Sequence, residues 1–280
     1  PTQGHFSALC APGIKQVLTV FDTLTLSAPQ YFPKSLVFLF KYIWPVLMKR
    51  VDKIITISNA TKHDIIKYYG IREEKIVVVY PGVSDEFIRL PDAPKTDVGF
   101  GIRGPFILYV GTLEPRKNIP GLIRAFHMLK QAGDSHQLVI CGKKGWMFEE
   151  IFRVVNDLSL QDEVVFTGYV PDGDLVKLYN AADLFVYPSL FEGFGLPPLE
   201  AMACGVPVIT SDTSSLPEVA GDAGMMVHPG NINELAKAMN QVLTDVNLRT
   251  EMVARGLKRA KQFSWENTAR ETLKIYQQIV

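Results

Sequence analysis

The stretch Asp183–Thr210, DLFVYPSLFEGFGLPPLEAMACGVPVIT, contains an apolar run, a glycine-containing loop and a short helical pattern. The run Leu184–Tyr187 is bounded by Pro188, which predicts a buried strand. Gly193 and Gly195 then let the backbone bend and approach a ligand closely. The two prolines that follow fit only the first turn of a helix. In an open α/β sheet such a loop lies at the carboxyl end of a strand, where ligands bind.

Glu200 is the one charged residue of the predicted helix LPPLEAMAC, which runs from Pro197 to about Cys204. A carboxylate on a mainly apolar helix needs a partner. Two interpretations stay open, a capped or ion-paired structural glutamate and an acceptor for the hydroxyls of a ligand. Eight residues earlier, Glu192 lies in the loop itself.

The loop between these glutamates is suited to an anion. The N-terminus of the helix and the amides of Gly193, Phe194 and Gly195 favour a group such as a diphosphate. Two carboxylates that flank such a loop indicate a ligand with both phosphates and hydroxyls. A nucleotide-sugar fits that description.

The longer string PSLFEGFGLPPLEAMACGVPVITSDTSSLPEVAGDAG, with its Glu-x7-Glu pair, resembles the retaining glycosyltransferases of the GT-B fold, family 4. The resemblance implies an α/β protein of two Rossmann-like doubly wound domains. It also implies a metal-independent hexosyltransferase that uses a nucleoside diphosphate sugar and no cofactor, in polysaccharide or glycolipid assembly. The stretches EPRKN and EGFGLPPLEA are similar to those of bacterial mannosyltransferases, which favours mannose and a GDP- or UDP-linked donor.

The bulk composition indicates a protein with a sizeable core. The chain has 280 residues, 47% of them hydrophobic, which predicts two domains. The formal net charge is zero and no basic stripe is present, which argues against nucleic acid as a partner. The three cysteines, Cys10, Cys141 and Cys204, lie far apart without metal-ligand spacing. They indicate a reducing compartment, and so the cytoplasm.

The longest apolar run, residues 36–48, is interrupted by Lys41 and Pro45. It is shorter than the roughly 20 residues that a membrane span needs. A core helix with a basic end is favoured over membrane contact. The family often uses lipid-linked acceptors, which keeps peripheral contact at the inner face of the membrane as the alternative.

Alternating strands and helices predict a parallel sheet in each domain. The first domain is assigned to residues 1–89, a linker to 90–104, the second domain to 105–262, and a helix that crosses back to 263–280. Members of the resembled family have roughly twice as many strands in the first domain, so this one is expected to be incomplete. Its predicted strands are 17–21, 53–57 and 75–79, with helices at 33–50 and 59–69. The predicted strands of the second domain are 106–110, 137–141, 163–167, 184–187, 207–210 and 225–227. Its predicted helices are 119–131, 147–158 and 172–181, the helix after Pro197, and helices from 232 and 246. A last helix is predicted from 265, in the segment 263–280.

The segment GTLEPRKN, Gly111–Asn118, follows the first strand of the second domain. Asn118 is a good helix N-cap, which places Arg116 and Lys117 at a helix N-terminus. The helix dipole disfavours cations there unless an anion lies nearby. A solvated basic pair is an equal alternative on position alone. The resemblance assigns both cations to the donor diphosphate and Gly111 to the donor site.

Asp172 and Asp174 form an Asp-x-Asp pattern that in another glycosyltransferase fold holds a metal. Here Asp172 opens a helix, so an ordinary N-cap is favoured and no metal site is predicted. By resemblance, Tyr169 and Val170 cradle the nucleotide base. Tyr169 is equally compatible with a core position.

The sequence departs from the family at Phe21-Asp22, where members commonly have His-Asp. By resemblance that histidine lines the donor sugar, and phenylalanine cannot donate a hydrogen bond to it. By the same resemblance, Glu192 contacts the donor sugar and Glu200 accepts from the ribose hydroxyls. Two other interpretations therefore stay open, a donor-binding fragment without turnover and a nucleotide-sugar epimerase on the same fold. A dehydrogenase is disfavoured because its glycine fingerprint is absent.

Overall fold

The computed structural model of the protein describes residues 13–90 and 99–279. Within them, one compact unit comprises residues 13–82, 192–194 and 264–279, and the other comprises 83–90, 99–191 and 195–263. Cys10 and most of the predicted linker 90–104 lie outside the described residues. The predicted domain boundaries stay predictions.

Nine strands lie in the described part of the chain. They are β1 Val17–Val20, β2 Lys53–Thr56, β3 Ile76–Val78, β4 Phe106–Val110, β5 Gln137–Cys141, β6 Val164–Gly168, β7 Leu184–Tyr187, β8 Val208–Ser211 and β9 Met225–Val227. The α-helices there are α1 Leu24–Ser27, α2 Lys34–Phe38, α3 Trp44–Arg50, α4 Asn59–Tyr69, α5 Ile119–Gln131, α6 Glu149–Asp157, α7 Asp172–Ala181, α8 Leu196–Ala203, α9 Leu216–Ala220, α10 Ile232–Thr244, α11 Val246–Ala260 and α12 Trp265–Ile279.

The first unit is built on a three-stranded parallel sheet in the order β1-β2-β3. The predicted parallel pattern is confirmed, although each strand ends one residue earlier than predicted and β3 also begins one residue later. Ser58 caps α4 by accepting from the backbone N–H of Thr61. From α12, Ile275 packs against Ile55 and Val79, so the C-terminal helix covers this sheet.

The helix predicted over residues 33–50 is helical but not uniform. A π-helical turn, Leu39–Ile43, separates α2 from α3. Pro45 is the physical reason, because it lacks the N–H that a regular α-helix would donate to the carbonyl of Lys41. The predicted core helix packs Phe40, Trp44, Leu47 and Met48 into the core of the first unit, and the opposite side of the segment is exposed. Four apolar residues are exposed there together with four basic ones, a set called here the basic–aromatic face: Lys34, Phe38, Lys41, Tyr42, Ile43, Val46, Lys49 and Arg50.

The second unit contains a six-stranded parallel sheet in the order β6-β5-β4-β7-β8-β9. The chain runs outward from β4 to β6 and then returns to place β7 on the other side of β4. This reversal is the topological switch point of a doubly wound sheet, the place where such folds bind ligands. The central strands are buried on both faces, which is why they read as continuous apolar runs.

Among the described residues, no helix is both long and apolar enough to cross a membrane.

Candidate functional site at the carboxyl ends of β4 and β7

The site of interest lies where the strand order reverses. The segment after β4 carries Arg116 and Lys117, and the segment after β7 begins the glycine-containing loop. The two segments are joined, since the backbone N–H of Leu190 donates to the carbonyl of Arg116 at 2.8 Å. An Nη1 atom of Arg116 also donates to the carbonyl of Phe191 at 3.0 Å. The predicted cations are therefore attached to the start of the predicted loop.

Gly111 lies at the end of β4, and its role in the fold is close packing of backbones. Its φ is +157°, and a Cβ atom there would lie 2.7 Å from the hydroxyl of Tyr109. A Cβ on Gly142, which follows β5, would lie 1.9 Å from the carbonyl oxygen of Gly111. The backbone of Gly111 thus requires a glycine at position 142, and the ring of Tyr109 leaves little room for a side chain at position 111. The predicted contact of Gly111 with a donor stays a prediction.

Arg116 and Lys117 lie in a 3₁₀ turn, Pro115–Lys117, directly before α5. The side chain of Lys117 is only 6% exposed, and its Nζ donates to the hydroxyl of Tyr187. Nζ also lies 4.9 Å from the centroid of the same ring. A buried ammonium group is not part of a solvated basic pair, so that alternative is wrong for Lys117.

Asn118 precedes α5 but does not cap it with its side chain, so that detail of the prediction is wrong. Its backbone is left-handed, with φ 54°, and its side chain makes no capping hydrogen bond. The side-chain Nδ2 donates instead to the carbonyl of Pro229 at 2.8 Å. The competing tertiary contact explains the difference.

Glu200 lies in the middle of α8, as predicted, and has a protein partner. The hydroxyl of Tyr179 donates to Oε2 of Glu200 at 2.9 Å. Burial raises the pKa of the carboxyl from 4.5 to about 7, and the tyrosine hydrogen bond opposes part of that rise. Burial, together with the charge of Glu200, also raises the pKa of the Cys204 thiol to about 12. The carboxyl group of Glu200 therefore changes charge near neutral pH. Its hydrogen bond with Tyr179 is compatible both with a structural glutamate and with an acceptor for the hydroxyls of a ligand.

The loop residues Glu192, Gly193 and Phe194 belong to the first unit. Phe194 is buried, with its ring 5.9 Å from that of Tyr80. A Cβ on Gly193 would lie 2.3 Å from the carbonyl oxygen of Phe21, so the local packing requires a glycine. Glu192 is buried as well. Its predicted contact with a sugar stays a prediction.

Phe21, where the resemblance leads one to expect a histidine, lies directly after β1 and is 58% exposed. Asp22, the next residue, accepts a hydrogen bond from the backbone N–H of Leu24 at 3.1 Å. The exposed ring offers apolar surface and no hydrogen-bonding group at this position.

Gly195 is the N-cap of α8 and belongs to the second unit. Its φ is +114°, which a side chain would strain, and a Cβ would lie 2.7 Å from Leu216. The helix begins at Leu196, one residue before the two prolines, and ends at Ala203, one residue before the predicted end, with Cys204 as its C-cap.

Tyr169 follows β6 and is 62% exposed, so the core alternative for it is wrong. The Nζ of Lys143 lies 4.5 Å from the centroid of its ring, a cation–π contact. Val170, by contrast, is buried. The predicted contact of these two residues with a base stays a prediction.

Asp172 is the first residue of α7, and the N-cap is Pro171, so the capping prediction is wrong by one position. The carbonyl of Pro171 accepts from the N–H groups of Asp174 and Leu175. Asp174 pairs with Lys177 at 2.8 Å. No cluster of three His, Cys, Asp or Glu side chains suited to a metal is found within residues 13–90 and 99–279.

Three residues of the site escaped the sequence reasoning. Glu114 is 2% exposed, and its Oε1 lies 2.6 Å from Nε of Arg116. Tyr179 and Tyr187 are the partners of Glu200 and Lys117. The signal for Glu114 was its place inside GTLEPRKN, two residues from the arginine. The tyrosines lie in apolar patterns that carry no signal beyond burial.

Comparison with known families gives two matches that together span most of the chain. The family described as "Glycosyl transferases group 1" matches residues 96–259. The family described as "Glycosyltransferase Family 4" matches residues 2–87.

Similar curated proteins include two from Escherichia coli. "O-antigen chain mannosyltransferase B" is 38% identical over 272 residues, which cover 94% of this chain and 70% of that protein. "Serotype-specific mannosyltransferase WbdA" is 35% identical over 79% of this chain, which spans 28% of that longer protein.

A similar solved structure is that of the Anabaena protein HepE in complex with UDP and glucose. The TM-score is 0.82 at 23% identity, and the match covers 94% of this chain and 72% of that one. At this identity the likeness concerns the fold.

Proposed function

Because this chain belongs to the glycosyl transferases group 1 family and has the GT-B fold, we propose that it transfers a hexose from a nucleoside diphosphate sugar to an acceptor hydroxyl with retention of configuration. The names of the two mannosyltransferases support mannose as the sugar and polysaccharide assembly as the setting. The UDP and glucose in the Anabaena structure support a nucleotide-sugar donor, GDP- or UDP-linked here. The observation that carries the proposal is the position of Arg116 and the buried Lys117 at the switch point of the sheet.

In this proposal Arg116 and Lys117 hold the donor diphosphate. They neutralise the charge that builds on the leaving group as the bond from the sugar to the phosphate breaks, usually the largest catalytic contribution. The acceptor oxygen bonds to the same face of the sugar carbon, and its proton passes to the leaving phosphate. The burial of Lys117 supports this role, because charge stabilisation is stronger where water is excluded.

Glu200 accepts hydrogen bonds from the ribose hydroxyls in its ionised form. Its place on the first helix after β7 supports this role. The loop amides through Gly195 and the N–H of Leu196 add hydrogen-bond donors for the diphosphate, whereas Pro197 and Pro198 have no N–H to offer. No step of the proposed reaction uses a metal.

The test is a panel of donors with and without acceptor. The protein is incubated with GDP-mannose, UDP-glucose and UDP-N-acetylglucosamine, alone and with a mannose-terminated oligosaccharide, and released nucleotide is measured. Acceptor-dependent release from one donor, with an α-linked product seen by NMR, supports retaining transfer. Binding without release supports the donor-binding alternative, and an isomerised sugar nucleotide supports the epimerase.

A glycan or lipid-linked acceptor and peripheral contact with the cytoplasmic face of a membrane are part of the same proposal. The basic–aromatic face supports it, because exposed Phe38, Tyr42 and Val46 lie beside lysines in a segment without acidic residues. Apolar and basic side chains together suit an anionic lipid surface. Sedimentation with vesicles of phosphatidylglycerol and phosphatidylcholine tests it, with pure phosphatidylcholine as the control. Equal sedimentation with both kinds of vesicle would contradict it.

A further inference from the structure

We propose that Glu114 is a positioning residue, which holds the guanidinium group of Arg116 in the orientation that receives the donor diphosphate. This inference rests on the proposed function, because it concerns how the diphosphate-binding cation is aimed. It gives a role to the carboxylate of Glu114, whose presence in the segment GTLEPRKN is not explained by the sequence alone.

The geometry defines the contact. Oε1 of Glu114 lies 2.6 Å from Nε of Arg116, and Nη1 of Arg116 donates to the carbonyl of Phe191 at 3.0 Å. One contact is made at Nε and the other at Nη1. A planar guanidinium held at two of its three nitrogens has little freedom to rotate.

The burial of the pair argues against stability as its main purpose. Glu114 is 2% exposed and the side chain of Arg116 is 15% exposed. The cost of removing two charges from water roughly cancels their attraction, so buried pairs contribute little net stability. A fixed orientation is a benefit that such a pair can provide.

The sign of the charge makes the proposal testable. A carboxylate beside an anion-binding cation repels the anion, so its field alone weakens diphosphate binding. If Glu114 acted only through its field, its removal would strengthen binding. If it acts by orienting Arg116, its removal weakens binding, although the site becomes more positive.

The test uses Glu114→Gln, which keeps the shape of the side chain and removes the charge. We expect the affinity for GDP or UDP to fall about 10- to 100-fold, since small misplacements of a binding group have effects of that size. The affinity for the matching nucleoside is expected to stay unchanged, which a general loss of structure would not produce. Glu114→Asp keeps the charge and should recover part of the loss. Glu150→Gln, which removes an exposed pair with Arg124, is the matched control.

A double-mutant cycle with Arg116→Ala separates positioning from a structural role. Calorimetry gives the affinities and circular dichroism the folded fraction. If Glu114 acts through Arg116, Glu114→Gln has no further effect on GDP or UDP affinity in the Arg116→Ala background. An undiminished effect there, or tighter binding by Glu114→Gln alone, overturns the inference and leaves the proposed function standing. If Arg116→Ala itself leaves the affinity unchanged, the proposed donor site fails as well.

Discussion

Glu200→Gln should stabilise the protein above neutral pH, by an amount that follows from the raised pKa of Glu200. The pKa rises from 4.5 to about 7 because the carboxyl is buried. The folded state thus binds this proton more tightly than the unfolded chain does. The stability contributed by the group is complete below about pH 4.5 and is lost as the pH rises through about 7. A shift of that size corresponds to about 3 kcal/mol, an order-of-magnitude figure.

The assay is urea unfolding of parent and variant between pH 4.5 and 8. The difference in unfolding free energy should grow in favour of glutamine across this range and level off above about pH 7. The hydroxyl of Tyr179 can still donate to the amide oxygen, so the new amide adds only a pH-independent offset. Glu149→Gln, which changes an exposed glutamate, should show no comparable trend. A difference between parent and Glu200→Gln that is constant with pH would refute the reasoning.

The same variant tests the proposed ribose contact. The ionised carboxylate accepts from the hydroxyls, so the affinity of the parent for GDP or UDP should increase between pH 6 and 8. Glu200→Gln should lose that increase and bind more weakly at pH 8, by about 1.5–3 kcal/mol. The protonation of the ligand phosphates changes with pH in the same way for the parent and for Glu200→Gln, so the comparison between the two proteins cancels this contribution. If calorimetry shows equal affinities at pH 8, the ribose role is wrong.

Three further predictions concern other parts of the site. Changing both Arg116 and Lys117 to Ala should weaken GDP or UDP binding by about 1.5–3 kcal/mol per lost contact and nucleoside binding far less; calorimetry that finds equal losses for both ligands contradicts the diphosphate role. EDTA should leave acceptor-dependent nucleotide release unchanged, since Asp172 starts a helix and Asp174 pairs with Lys177; activity that is lost with EDTA and restored by manganese would reverse this. Phe21→His should raise the turnover number about tenfold, the rate equivalent of one hydrogen bond to the sugar; an unchanged or lower rate would argue against a catalytic deficit at this position.

Much of the fold could be predicted because the local signals were strong. The predicted first and last residues agree with the structure for β4, β5, β7, β9 and α5. Apolar stretches with clear breaks leave few alternatives for the bounds of an element. The details that were predicted wrongly depend on contacts with residues that are remote in the sequence. Asn118 is a favourable N-cap residue, but a carbonyl remote in sequence engages its side chain.

The candidate site was predictable in part for the same reason. Glu200 is a charge on an otherwise apolar helix, and Arg116 and Lys117 are cations at a predicted helix N-terminus, so all three were conspicuous. Glu114 was not, because a carboxylate in a loop looks the same in sequence whether it is solvated or buried against an arginine. Only the structure shows which of these charges has been removed from water.

The π-helical turn Leu39–Ile43 has an evolutionary consequence for the outer surface of the first unit. Such a turn holds one residue more than a regular turn, so a one-residue insertion can be absorbed within it and the helix on either side keeps its orientation. Phe38 and Val46 are eight positions apart, which in a regular α-helix would place them about 80° apart around the axis. With one residue absorbed by the turn, both side chains stay on the same side, so the surface tolerates the insertion that the turn contains.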